Sequence, residues 1–246
     1  MRNTGMRSEC ITLGPHDHIG WVFDNLGGFD AIAVPFLAAG AERGERLMYI
    51  GAHPEGAVAS RLAALCPEGV QMACVAEVYG TSGVVDPQAL LAFFAAIFVE
   101  ALNAGYSGLR VAADTTPLVT GDVSLQPWYQ WEIIVDRFIS ENHATALCAF
   151  NGDMVDINRL RHLASVHPMS SATGPEPSFR LFAEQGRLRA EGLIDSFAIT
   201  QIPPALEVLP PNTPVHIDLT SSRLTSTSLH GLRELRDAGI AITTTR

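Results

Sequence analysis

Four consecutive hydroxyl side chains lie near the C-terminal end of the sequence, between a predicted strand and a predicted helix. The apolar run Val215–Leu219 predicts the buried strand, and Leu229, Leu232 and Leu235 recur at helical spacing on one face. The hydroxyls between them belong to Thr225, Ser226, Thr227 and Ser228. A hydroxyl there can cap the helix, and a phosphate on it would be stabilised by the positive end of the helix. Both interpretations, an N-cap cluster and a phosphorylation switch, stay open.

The triplet His16-Asp17-His18 lies next to the first apolar run of the chain. Side chains two residues apart point to the same side of an extended chain, so His16 and His18 could supply two metal ligands. No second group of metal-binding side chains lies nearby in the sequence. We therefore predict no metal site, and we interpret His18 as a histidine that either stabilises the fold or faces a ligand.

The composition excludes several classes of chemistry. All sixteen basic residues are arginine, so a lysine-dependent phosphate loop, a pyridoxal phosphate Schiff base and a lysine aldolase are impossible. With a net charge of −10 and no arginine cluster, the chain lacks the basic surface that nucleic acid binding requires. The four cysteines form no CxxC pair, and no apolar run is as long as a membrane span. We expect a soluble, cytoplasmic protein that binds neither nucleic acid nor membrane.

Strand-like and helix-like segments alternate in the N-terminal part of the chain. The predicted strands are His18–Phe23, Arg46–Gly51, Val70–Val78, Gly108–Ala113 and Ala144–Phe150. The predicted helices are Ala31–Arg43, Gly56–Leu65, Pro87–Ala104 and Trp128–Asn142. The strands are apolar enough for burial on both faces, which predicts an α/β fold with a mainly parallel sheet. The segment HPMSSATGPEP that follows has the composition of a linker.

Several segments of this N-terminal part resemble, in order, the MEDS domain, a sensory domain named for methanogens and methylotrophs and found in a regulator of dichloromethane degradation. The segments are His18–Asp24, Pro35–Gly51, Val84–Leu91, Gly105–Asp114, Trp131-Glu132, Ala146–Asn151 and Val166–Pro168. The resemblance implies a RecA-like core that has lost its phosphate loop. The sequence agrees, because Gly14–Asn25 has neither the glycine spacing nor the lysine of such a loop.

Two positions depart from the family pattern. Gly20 stands where the family often has Cys, and Asp24 stands where it often has Tyr. If those side chains touch the sensed ligand, the ligand of this protein differs from theirs or is absent.

The remaining candidate site residues have both a structural and a functional interpretation. Asp114 ends a predicted strand, where it can bind a ligand or cap the next turn. Trp131 and Glu132 could provide the apolar wall and the polar anchor of a pocket, while Cys148 lies in an apolar strand that favours an inert thiol. The ligand-binding candidates are His18, Trp21, Asp114, Trp131, Glu132 and Cys148.

The C-terminal part resembles the STAS domain of anti-sigma-factor antagonists. Gly192-Leu193-Ile194-Asp195 fits its G-x-[IV]-D element, and His216-Ile217-Asp218-Leu219 fits its [IV]-x-[IL]-D-L strand. Ser226-Thr227-Ser228-Leu229 then falls on the family's D-S-x-G, so the resemblance implies Thr227 as phospho-acceptor, with Ser226 replacing Asp and Leu229 replacing Gly.

Together these observations predict a RecA-like sensory domain at residues 1–168, a linker at 169–177 and a small STAS-like α/β domain at 178–246. We expect a signalling regulator without catalytic activity. It would sense a small molecule or a partner through its first domain and bind an anti-sigma factor or related protein kinase through its second. The alternatives are an enzyme or cofactor-binding protein acting on a small ligand in the N-terminal crevice, and a scaffold that assembles as a homo-oligomer. The sequence identifies neither a cofactor nor the sensed ligand.

Overall fold

The computed structural model describes residues 2–24, 28–66, 69–80, 85–121, 124–207 and 216–244. Within these ranges the strands form two sheets, one of seven strands and one of four. The first sheet contains β1 (Gly5–Arg7), β2 (His18–Phe23), β3 (Arg46–Gly51), β4 (Gln71–Cys74), β5 (Leu109–Asp114), β6 (Ala144–Asn151) and β7 (Met169–Ser171). The second contains β8 (Phe179–Glu184), β9 (Arg187–Ile194), β10 (His216–Leu224) and β11 (Ala241–Thr244).

Helices connect most of these strands, and local sequence explains several of their ends. They are α1 (Gly28–Ala41), α2 (Ala57–Leu65), α3 (Val75–Tyr79), α4 (Pro87–Asn103), α5 (Thr116–Val119), α6 (Gln126–Glu141), α7 (Ile157–Ser165), α8 (Ser196–Glu207) and α9 (Ser228–Asp237). Asp86 and Asp156 cap α4 and α7 by accepting hydrogen bonds from backbone N–H groups of the first turn. None of the helices in the described part of the chain has the length and apolar character to cross a membrane.

The first sheet has the order β1-β7-β2-β6-β5-β3-β4, and its described pairings are all parallel. Every residue of β2 and β6 is buried, as expected for central strands covered on both faces. Val22 of β2 belongs to one apolar core, while Ile19 and Trp21 belong to the core on the opposite face. The predicted α/β class and the mainly parallel sheet are therefore confirmed.

The second sheet is mixed and has the order β11-β10-β9-β8. β8 and β9 form an antiparallel hairpin, whose two turn residues, Gln185 and Gly186, both have positive φ angles, of 52° and 73°. Two left-handed residues are typical of a tight hairpin turn. β9, β10 and β11 are parallel and are connected through α8 and α9.

Helix α6 lies between the two sheets and contributes to the core of each. Trp131 and Val135 belong to a core of the first sheet, while Tyr129 and Ile133 pack with the apolar residues of β8 and β9. The helix therefore has two apolar faces and joins the sheets through buried contacts.

Three parts of the sequence interpretation need correction or refinement. The predicted strand Val70–Val78 continues only to Cys74, because Glu77 accepts a hydrogen bond from the Cys74 backbone N–H and starts α3. Leu229 is 46% exposed, so the buried face of α9 is formed by Leu232 and Leu235 without it. Residues 169–171 of the expected linker form β7 in the first sheet. Val84 and Val215, which belonged to predicted segments, lie outside the described residues.

Arg110 and Glu45 form a buried ion pair beside the first sheet. The Arg110 guanidinium also donates to the carbonyl oxygen of Leu13 at 2.8 Å and lies 4.5 Å from the centre of the Phe36 ring. Gly40 makes room for it, because a Cβ atom at that position would lie 2.5 Å from the Arg110 Cδ.

Glu45→Ala should lower the free energy of unfolding by about 3–5 kcal/mol, because it leaves the buried guanidinium without its counter-charge. Glu42→Ala is the matched control, since Glu42 is exposed in the same connection between α1 and β3, and it should change stability by less than about 0.5 kcal/mol. Urea unfolding measures both. Equal stability of the two variants would show that the ion pair is not needed in the core.

Candidate functional site

Four buried side chains from separate parts of the fold converge beside the first sheet. They are His18, Glu132, Cys148 and His167, and their nitrogen, oxygen and sulfur atoms all lie within 4.8 Å of one another. His18 and Cys148 come from adjacent strands, because Gly20 of β2 is in register with Cys148 of β6. Glu132 comes from α6, and His167 lies just before β7. We call these four residues the polar centre.

The atoms of the polar centre are close enough to interact directly. Glu132 Oε2 lies 3.4 Å from His18 Nε2 and 3.3 Å from His167 Nε2. The Cys148 Sγ lies 3.6 Å from His18 Nε2 and 3.8 Å from Glu132 Oε2. The two imidazole rings are tilted against each other with centroids 4.4 Å apart.

Hydrogen bonds on the outer side of each imidazole orient its inner nitrogen. His18 Nδ1 is 3.0 Å from Asp136 Oδ1, and His167 Nδ1 is 2.8 Å from the carbonyl oxygen of Leu163. A carboxylate and a carbonyl oxygen only accept, so each Nδ1 carries a proton and donates it. In the neutral form of either ring, the Nε2 lone pair therefore points into the polar centre.

The electrostatics of the polar centre favour a negative carboxylate with a cation beside it. Burial would raise the pKa of Glu132, but His167 and His18 outweigh it and lower that pKa to about 2. Burial would lower the pKa of His18, but hydrogen bonds to Asp136 and Glu132 raise it. Burial raises the pKa of the Cys148 thiol well above its usual range. The cation can be a proton on an imidazole or a metal ion held by the nitrogen, oxygen and sulfur atoms.

Two atoms of the polar centre have no hydrogen-bond partner among the described residues. They are Glu132 Oε1 and His167 Nε2, and both are buried. The 3.3 Å contact between His167 and Glu132 is close enough for an ion pair but has no hydrogen-bond geometry. Buried polar atoms are rarely left unpaired in a folded protein, so these two atoms make the polar centre a candidate binding site.

The polar centre is connected to the second sheet through Asp136. One of its oxygens accepts from His18, and the other accepts from the backbone N–H of Ala183 in β8 at 2.7 Å. Arg2 also pairs with Asp136 and donates to the carbonyl oxygen of Ala183. Burial would raise the pKa of Asp136, but the Arg2 charge and the His18 hydrogen bond lower it to about 2.

A second connection runs through the other histidine. Arg180 of β8 donates to the carbonyl oxygen of His167 at 3.1 Å and to that of Ala164 at 3.2 Å. Strand β8 therefore contacts Asp136, which orients the His18 ring, and the backbone of His167.

The structure brings together three of the six ligand-binding candidates, His18, Glu132 and Cys148, and separates the others from them. Trp21 packs on the opposite face of the sheet, and Asp114 accepts from the backbone N–H of Thr116, which supports its turn-capping interpretation. Trp131 stacks on Phe94 in the core and lines a small apolar pocket of about 30 Å³ that also reaches Cys148.

His16 does not join His18 as a metal ligand. Its positive φ of 73° interrupts the extended chain, and its ring contacts His143 and the carbonyl oxygen of Ile139 instead. The second group of ligands that the sequence lacked near His18 comes from α6, β6 and the residue before β7.

Sequence reasoning missed His167 and Asp136. His167 lay within the Val166–Pro168 segment, whose match to the family pattern was the available signal. Asp136 lies four residues after Glu132 on α6, and this spacing places both carboxylates on one helix face.

The hydroxyl run before α9 does not form the expected side-chain cap. Thr227 occupies the N-cap position, but its hydroxyl contacts Thr225 Oγ1 at 2.8 Å and makes no capping hydrogen bond. Thr227 and Ser226 are exposed. Ser228 is fully buried and donates to the carbonyl oxygen of Thr225 at 2.8 Å, so it is not accessible as a phospho-acceptor.

An open groove of about 800 Å³ lies between α7 and the second sheet. Its lining includes Arg161, His162, Phe197 and Arg223, and none of the ligand-binding candidates. The groove is therefore a surface shared by both parts of the chain and is distinct from the polar centre.

The parallel sheet and its buried polar centre together define an α/β domain suited to holding a small ligand or an ion. Residues 17–168 match the family model of the MEDS domain, described as the methanogen/methylotroph, DcmR sensory domain. This match covers more than half of the chain, so the chain belongs to the MEDS family, a family of sensory domains. A comparison with curated proteins found no match.

The contacts before α9 predict different costs for two neighbouring hydroxyls. Ser228→Ala should lower the free energy of unfolding by about 1 kcal/mol, because the hydrogen bond from its buried hydroxyl to the Thr225 carbonyl oxygen is lost. Thr227→Ala should change it by less than about 0.5 kcal/mol, because no capping bond is lost. Urea unfolding distinguishes them. A cost for Thr227→Ala equal to that for Ser228→Ala would show that Thr227 caps the helix in solution.

Proposed function

We propose that the chain is a two-part signalling protein. The polar centre in the first part receives the input, and the second sheet conveys the response to a protein partner. The observation that carries this proposal is the position of Asp136, whose two oxygens bind His18 of the polar centre and the Ala183 amide of β8.

The physical basis of the coupling is that one carboxylate accepts only a limited number of hydrogen bonds. Asp136 binds His18, Arg2 and Ala183 at the same time, so a change in the charge or orientation of His18 alters its interactions with the other two. Arg180 provides the corresponding link from His167 to β8. An input at the polar centre thereby changes the stability of the edge strand of the second sheet.

We infer that the first sheet is a RecA-like core without nucleotide hydrolysis. Its all-parallel order, with β2 between β6 and β7, supports this relation. The absence of lysine from the sequence supports the loss of the phosphate loop.

We further propose that the second part is a STAS-like module whose partner is an anti-sigma factor or related protein kinase. The order of a hairpin followed by α8, β10, α9 and β11 supports this assignment. Asp195 caps the following helix by accepting from the Ala198 backbone N–H. Thr227, at the phospho-acceptor position implied by the resemblance, is exposed at the start of α9, where a kinase could reach it.

The coupling through Asp136 is testable by hydrogen exchange. Asp136→Asn removes the charge that holds His18 and Arg2, so amide exchange in β8 should accelerate by about tenfold, while exchange in β10 stays unchanged. Mass spectrometry of peptides covering the two strands measures this difference. Asp153→Asn, an exposed site in the same part of the chain, is the control. Equal acceleration in β8 and β10 would indicate general destabilisation and would contradict the coupling.

The switch at Thr227 is testable with purified partners. Each kinase-type anti-sigma factor of the source organism is assayed for binding to Thr227→Ala and Thr227→Asp. The Asp variant should bind its cognate factor at least tenfold more weakly, because the added charge is poorly accommodated against a surface matched to the neutral form. Thr200→Asp, on the exposed face of α8, controls for charge alone. Equal affinity of the two Thr227 variants, or binding of neither, would refute the switch.

A further inference from the structure

We propose that the polar centre binds one divalent transition-metal ion of the zinc class, with His18, Glu132, Cys148 and His167 as its ligands. The inference deepens the proposed function, on which it rests in one respect: the ion would be part of the input site. It stands on the geometry of the four side chains, the orientation of their lone pairs, their unpaired atoms and their charge.

The spacing of the ligand atoms is that of a tetrahedral metal site. Zinc binds nitrogen and oxygen at about 2.0–2.2 Å and sulfur at about 2.3 Å, so neighbouring ligand atoms lie about 3.3–3.6 Å apart. Four of the six separations in the polar centre measure 3.3, 3.4, 3.6 and 3.8 Å, and the other two are within 4.8 Å. The side chains therefore need only small movements to enclose an ion.

The outer hydrogen bonds prepare both imidazoles as ligands. Metal-bound histidines usually donate their second N–H to a carboxylate or a backbone carbonyl group, which fixes the ring orientation. His18 donates to Asp136, and His167 donates to the carbonyl oxygen of Leu163. Each bond leaves the Nε2 lone pair directed at Glu132, and that of His18 also lies 3.6 Å from the Cys148 Sγ.

A metal ion also explains more of the polar centre than a proton does. A proton on His18 Nε2 satisfies the contact between His18 and Glu132 Oε2. It leaves His167 Nε2 without a partner among the described residues. An ion at the centre accepts the lone pair of His167 Nε2 together with those of His18 Nε2, Cys148 Sγ and Glu132 Oε2.

The charge of the four ligands selects a divalent ion. Binding releases the Cys148 thiol proton, and also the His18 Nε2 proton where that ring is charged, so the ion meets a thiolate, a carboxylate and two neutral imidazoles. Their charges sum to zero with a divalent cation, as a fully buried site requires. Mixed nitrogen, sulfur and oxygen ligands favour zinc-class ions over magnesium or calcium.

The first test uses the unaltered protein. The chain is purified from zinc-supplemented cells for elemental analysis, and a second sample is unfolded, freed of metal and refolded with cobalt(II). We expect about one zinc per chain in the first sample, and tetrahedral ligand-field bands with a thiolate-to-cobalt charge-transfer band in the second. Absence of metal from the first sample together with absence of these bands from the folded second sample overturns the proposal.

Variants then assign the ligands. Cys148→Ser should abolish the charge-transfer band and weaken cobalt binding at least tenfold. Cys66→Ser changes another buried thiol outside the polar centre and should retain both. His167→Gln should weaken binding while leaving the charge-transfer band present at saturating cobalt. Persistence of that band in Cys148→Ser would refute the assignment.

The metal proposal and the signalling proposal fail separately. If the unaltered protein binds no metal but Asp136→Asn accelerates amide exchange in β8 alone, the signalling proposal stands and the metal proposal is refuted. If the unaltered protein binds metal but Asp136→Asn does not change β8 exchange selectively, the metal proposal stands and the signalling proposal is refuted.

Discussion

Asp136 is a fully buried carboxylate that contacts both the polar centre and the second sheet. Its oxygens accept from His18, from Arg2 and from the backbone of Ala183, so three distant segments of the chain compensate one charge. Removing one partner of a buried charge costs far more than removing a surface ion pair. The His18 ring and strand β8 are therefore both held by the same group.

Helix α6 makes this arrangement possible because it is buried on more than one side. Its apolar residues divide between the cores of the two sheets, and its two buried carboxylates, Glu132 and Asp136, lie one turn apart. An ordinary surface helix would expose such carboxylates to water. Here β8 of the second sheet contacts Asp136 directly, so the surroundings of a first-sheet site include the second sheet. This dependence gives a physical reason for a sensory domain to be continuous with its neighbour.

The sequence predicts those features that are local in the chain. The boundaries of β2 and β3, the parallel sheet and three residues of the polar centre follow from apolar periodicity or from family motifs. The convergence itself does not follow, because His18 lies more than a hundred residues before the other three members and the four have no common spacing. The same limitation explains why His16 was the only metal-ligand neighbour considered for His18. The early end of β4 depends on one hydrogen bond from the Cys74 backbone N–H to Glu77, which the apolar run does not reveal.

Gly20 shows how a departure from the family pattern fits this particular centre. The family often has Cys at this position, and a Cβ atom there would lie 3.1 Å from the His167 ring. The missing side chain therefore allows the imidazole to approach the sheet. In the adjacent strand, Cys148 stands in register with Gly20 and supplies a thiol to the same place. His167 therefore occupies the space that a β2 side chain at this position would fill, and the absence of a Cβ atom at Gly20 lets this imidazole reach the polar centre.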